Sequence, residues 1–125
     1  FLFLLVMANP LSAQVPVEVP SGQPVILTEV LIDDAPGELW ARFRFVAPEI
    51  ARDGGSVDYQ TASGDIDHLC QALALPYLVE HSLTVAKVVI SLSDRDVPFG
   101  VSDSEATQFF EAYTADGPDC ILEPY

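Results

Sequence analysis

Positive charge is scarce in this chain: five Lys and Arg side chains stand against nineteen Asp and Glu, a net charge of −14 over 125 residues. Nucleic acid and anionic lipid are bound by neutralising phosphates with Lys and Arg, so this balance argues against DNA, RNA and membrane-surface partners and suits a well-solvated surface. No glycine-rich phosphate loop is present. The nearest approach to a nucleophile elbow, "GVSDS" at 100–104, lacks its last Gly, which leaves Ser-hydrolase chemistry little support. The apolar run at the start falls short of the ~20 residues a membrane-spanning helix needs.

That opening stretch, "FLFLLVMANPLSA", carries no charge, breaks at Pro10 and ends in small residues. It is expected to be the remnant of a secretory signal peptide, residues 1–13, cut after Ala13, with the charged start upstream of Phe1. An uncleaved anchor and a truncated cytosolic protein are the alternatives. Residues 14–125 then form a single domain, periplasmic or secreted, long enough for one core and too short for two.

Along the chain, "VPVEVPSGQP" (15–24) reads as an edge strand or strapped-down arm, because three prolines rule out a helix. "VILTEVLI" (25–32) and "ELWARFRFV" (38–46) read as a hairpin around "DDAPG". In its second strand Leu39, Ala41, Phe43 and Phe45 share the core face, while Trp40, Arg42, Arg44 and Val46 share the other. From about Val57 to His81 a helical stripe centred on Ile66 gathers Tyr59, Ala62, Leu69, Cys70, Leu73 and Tyr77, with a kink or restart expected near Leu75 because Pro76 removes a donor. "AKVVISLS" (86–93) is a central strand, a long loop follows, and "TQFFEAYT" with "CILEPY" suggests a second hairpin; a helix over Ser104–Tyr113 competes for part of it. The fold class that results is α+β: an antiparallel sheet of four or five strands with one long kinked helix packed on it.

The most chemically loaded stretch is "DIDHLC", Asp65 to Cys70. On the helical wheel Cys70 lies near the core and His68 on the opposite, solvent side, so one metal ion cannot take both. Asp65 and Asp67 suit a helix start, where carboxylates meet free amides and the positive dipole end, and His81 suits the helix end. Cys70 and Cys120 are the only cysteines, and in an exported protein such a pair is expected to form a disulfide.

Two further groups are candidates for ligand binding. Arg42 and Arg44, beside Trp40, could clamp an anion with forked donors and a flat stacking surface; cross-strand pairing with Glu29 is the plainer use of the same charges. In the loop after "ISLS", Asp94, Asp96 and Glu105 match three acidic positions of a calcium loop. Pro98 and Phe99 break that pattern where an oxygen ligand and a turn-making Gly belong. The plainer expectation is an ordered loop with Arg95 paired to a neighbouring carboxylate.

The segments "GELWARFRF", "DHLCQALALPYL", "VVISLSDRDVPFG" and "ATQFFEAY" together resemble a family of small exported alphaproteobacterial proteins, a domain of unknown function. The resemblance spans most of residues 14–125 and implies no activity, so no catalytic residue and no cofactor is assigned. The sequence points to a non-catalytic binding or interaction module, stapled by one disulfide, for a protein or small-molecule partner. The rival reading is a metal-dependent or hydrolytic enzyme using the Asp94–Glu105 loop.

Overall fold

The computed structural model describes residues 14–123; the expected signal segment, residues 1–13, lies outside them. Six strands form one sheet in chain order: β1 (Val15–Val17), β2 (Val25–Asp33), β3 (Trp40–Val46), β4 (Lys87–Ser93), β5 (Gln108–Asp116) and β6 (Asp119–Leu122). All neighbours are antiparallel except β3 and β4, which run parallel. The expected sheet of four or five antiparallel strands is thus corrected to six strands in a mixed sheet. The reason lies in the connection: strands joined by tight turns reverse, but β3 and β4 are joined through the helical layer, and a crossover of that kind returns the chain in its original direction. The sixth strand is β1, the short edge piece built from the proline-rich arm.

Between β3 and β4 the chain first makes a 3₁₀ turn, Pro48–Ile50, and then a glycine-rich bend. There Gly55 approaches the preceding backbone so closely that a Cβ would lie 2.3 Å from the Ala51 carbonyl oxygen, so no other residue fits without moving the chain. Helix α1 (Tyr59–Leu69) starts at Asp58, whose side chain caps the Thr61 amide at 2.9 Å. That hydrogen bond draws the Asp58 carboxyl below its ordinary pKa.

The helix then widens into a π turn, Cys70–Ala74, and resumes as α2 (Leu75–Glu80). Pro76 sits in the first turn of α2, where its missing N–H is tolerated, and the wider turn before it takes up the strain that would otherwise kink the helix. A π turn also inserts one residue into the face pattern. The buried stripe accordingly slips by one position: Ala62, Ile66, Leu69 and Cys70 are buried as expected, but Ala74 and Leu78 take the deep places expected of Leu73 and Tyr77, with Leu75 buried beside them. Tyr59 also departs from expectation and is half exposed, its ring edge against Phe109.

The core lies between this helical layer and one sheet face, where Ala41, Phe43 and Phe45 of β3 meet Val88, Ile90 and Leu92 of β4. Two tyrosines tie α1 to β5 across its edge. Tyr59 donates to Glu111 and Tyr113 donates to Asp67, both at 2.5 Å. Burial, and then the Asp67 carboxylate, push the Tyr113 hydroxyl well above the ordinary tyrosine value.

A raised folded pKa gives stability that is complete below the unfolded value of about 10 and drains away as pH climbs from there toward the folded value. Tyr113→Phe is therefore expected to cost about 1.5–3 kcal/mol at neutral pH and to lose less of its remaining stability than the parent as pH rises. Urea melts at about pH 8 and about pH 11 test this; equal alkaline losses in the two proteins would sink it.

Asp65 is not a first-turn charge. It is fully buried and accepts from the Ser21 amide (3.0 Å), the Ser21 hydroxyl (2.6 Å) and the Gln23 amide nitrogen (2.7 Å), fastening the turn between β1 and β2 to the middle of α1. His68 is exposed, as the wheel places it. His81 closes α2 with its Nδ1 2.9 Å from the Tyr77 carbonyl oxygen. Cys70 and Cys120 are joined in a disulfide between the π turn and β6. No helix among the described residues is long and apolar enough to cross a membrane.

Candidate functional site

The helical layer covers one face of the sheet, so the alternate side chains of every strand look the other way. On that open face strand register sets up rows across β3, β4 and β5: Arg42, Val89 and Ala112; then Arg44, Ser91 and Phe110; then Val46, Ser93 and Gln108. Over them folds the loop between β4 and β5, residues 94–107. Its base is pinned where the Asp94 amide donates to the Thr107 carbonyl (2.9 Å) and the Thr107 amide donates to Asp94 Oδ1 (3.1 Å). Its middle is pinned by Arg44, whose Nη2 donates to the Val97 carbonyl at 2.6 Å. Between loop and sheet lies a cavity of about 240 Å³, floored by Arg42, Arg44, Val89 and Ser91 and bounded by Val97, Phe99, Val101 and Phe110.

The charges around this cavity are held in specific pairs. Arg44 Nη1 bonds Glu29 at 2.7 Å, and Arg42 Nε bonds Asp33 at 2.9 Å. The Ala35 amide and then Arg42 keep the Asp33 carboxyl below its ordinary pKa. Phe99, half exposed in the loop, lies 5.4 Å from the Arg42 guanidinium and 5.6 Å from that of Arg44, within cation–π range. Trp40 flanks Arg42 at 5.1 Å, and its indole N–H donates to Glu38. Arg42 thus has two aromatic rings within cation–π range and its Nε engaged. Its two terminal nitrogens donate to no protein group among the described residues.

Cross-strand pairing with Glu29 is thus present for Arg44, as the plainer sequence reading has it, and Arg42 pairs with Asp33 instead. Arg42, Arg44, Arg95 and Asp96 all line the cavity, with Trp40 behind Arg42. Asp94 is placed differently. Its side chain is only 4% exposed, and both oxygens are engaged, by Arg95 and by the Thr107 amide. Those contacts draw its carboxyl below the ordinary range, Arg95 contributing most. Arg95 pairs with a neighbouring carboxylate as expected. Among the described residues no three His, Cys, Asp or Glu side chains are gathered as metal ligands.

Val89, Ser91 and Phe110 also line the cavity, and period-two alternation from Arg42 and Arg44 through the neighbouring strands is the sequence signal that places them there. Phe99 and Val97 had no such signal, because their place depends on how a long loop folds back.

Four of the five basic residues, Arg42, Arg44, Lys87 and Arg95, thus gather on the face of the sheet that the helices leave open. Fold and site together define a two-layer α+β domain with a loop-roofed, arginine-floored pocket. The chain matches the family of unknown function DUF6497 over residues 4–125 and belongs to it. No curated protein and no solved structure matches the chain.

Proposed function

We propose that this protein is a non-catalytic binding module of the periplasm or the secreted fraction, and that its ligand sits in the loop-roofed pocket. The observation that carries the reading is Arg42. A guanidinium has five N–H donors. Here one is committed to Asp33, and the terminal pair is held by aromatic neighbours at an apolar-walled cavity without a protein acceptor. Concave, mostly apolar pockets with a few oriented polar groups are the usual form of small-molecule sites. The disulfide supports export, because such bridges persist in oxidising compartments, and so does the uncharged opening segment. The acidic remainder of the surface gives no support to nucleic-acid partners.

A fragment screen followed by amide chemical shifts tests the site. The expected result is that hits perturb Val89, Ser91, Phe99 and Phe110 together. Hits confined to other surfaces, or a screen with no hits, would overturn the assignment.

A further inference from the structure

The pocket's charge pattern narrows the ligand further, and the inference rests on the pocket being the binding site. We infer that it takes an organic monocarboxylate with a compact apolar body, the carboxylate on Arg42 and the body lying along Val89 toward Phe110.

The anion end is set by chemistry. The terminal nitrogens of Arg42 present a planar fork, and two parallel N–H donors fit the two oxygens of a carboxylate. The flanking Trp40 and Phe99 rings, 5.1 and 5.4 Å from the guanidinium, hold its orientation. Arg44 is less suited to the same job, because Glu29 and the Val97 carbonyl each already take an N–H from a different one of its terminal nitrogens. Arg44 is a positioning residue for the roof, and Arg42 is the binding residue.

A single negative charge follows from the local balance. The three arginines of the cavity stand beside four carboxylates: Asp33 on Arg42, Glu29 on Arg44, Asp94 on Arg95, and Asp96 in the lining. A dianion such as phosphate would bring two negative charges to a site whose carboxylates already outnumber its arginines, and gain only one unoccupied fork. A monocarboxylate uses the fork with half the repulsion.

The apolar end is set by place. Beyond Arg42 the floor continues through Val89, with Ser91 and Phe110 in the adjoining row, under a roof of Phe99 and Val101. Phe110 and Phe99 are 60% and 52% exposed, large apolar rings left open beside the cavity. A volume near 240 Å³ lies below the range of about 300–1,000 Å³ typical for drug-sized ligands, so the body is small, an aromatic ring or a short alkyl chain.

Trp40 is the only tryptophan and contacts Arg42, so its fluorescence reports on the fork. The full chain with its disulfide intact is titrated with phenylacetate and hexanoate, their neutral amides, hexylammonium and inorganic phosphate, while amide shifts show where each one binds. The carboxylates are expected to bind at least about tenfold more tightly than the amides, the worth of a charge-assisted hydrogen bond. Phosphate and the ammonium should be weaker still. Arg42→Gln should remove that tenfold preference, with its melting temperature measured alongside. Val89→Phe, which fills the floor, should weaken carboxylate and amide alike.

If amides, ammonium or phosphate bind the pocket as tightly as the carboxylates, the ligand class is overturned and the pocket stands. If none of the probes shifts the pocket residues, both readings fall. The wild-type series decides the ligand class by itself should Arg42→Gln fail to fold.

Discussion

Removal of the Cys70–Cys120 bridge, by reduction or by the paired substitution Cys70→Ala and Cys120→Ala, is expected to lower the unfolding free energy by about 4 kcal/mol. The figure is the chain-entropy term for a closed loop of some fifty residues, the separation of the two cysteines. It is a large share of the ~5–15 kcal/mol that holds a typical domain together. The effect should also be local. Strand β6 is a four-residue edge paired only to β5, and besides the bridge it meets the helical layer where the Cys120 amide donates to Gln71 Oε1 at 3.3 Å. Amide exchange in Asp119–Leu122 should therefore rise first in the reduced protein. Urea unfolding with and without reductant gives the energy, and a thiol count on denatured, unreduced protein gives the bond. Two reactive thiols in that count would refute it.

The second large effect is expected at Asp65. Asp65→Ala should cost about 3 kcal/mol, because it strands donors that all converge on one buried carboxylate: the Ser21 amide and hydroxyl and the Gln23 side-chain amide. Asp65→Asn keeps one acceptor oxygen and should cost less. The readout that separates this from ordinary core damage is the N-terminal strand. With the clamp gone, β1 has only its three-residue pairing with Val25–Leu27, so protection of that segment should fall well before global unfolding. Equal losses for the Ala and Asn variants, with β1 protection unchanged, would show that the carboxylate is not a clamp.

Most strands were legible because a half-buried strand writes its face as alternation. The sequence "WARFRF" separates Phe43 and Phe45 from Arg42 and Arg44 without help from any other part of the chain, and the structure keeps that division. The helix was legible up to Cys70. Beyond it a single extra residue in the π turn displaced the buried stripe, and no simple rule in "CQALALPY" announces that turn except Pro76, which marks where regular bonding must fail.

The parallel pairing of β3 with β4 was hidden for another reason: strand direction is set by the path of the intervening chain, not by the strands. Asp65 was misread because a carboxylate in an early helix turn and a carboxylate buried by an incoming arm look alike until the arm is placed. The pocket was half legible. Its arginine fork could be seen in one strand, whereas its roof depends on Phe99 crossing the sheet from a loop that has no periodicity to read.

The sheet order carries a consequence for how the protein assembles. Every strand lies beside its neighbour in the chain, and five of those six strands reach their partner through a short local turn on at least one side. The domain is in effect two consecutive three-stranded meanders, β1–β2–β3 and β4–β5–β6, meeting at one seam. Contacts within each meander are close in sequence and cheap to close, whereas the seam requires the whole helical crossover to be traversed. The seam therefore closes the longest loop in the sheet, and strand pairing across it carries the largest loop-closure cost. The pocket straddles that seam, with Arg42 and Arg44 from one half and Val89, Ser91 and Phe110 from the other, so the site comes into being only when the halves meet.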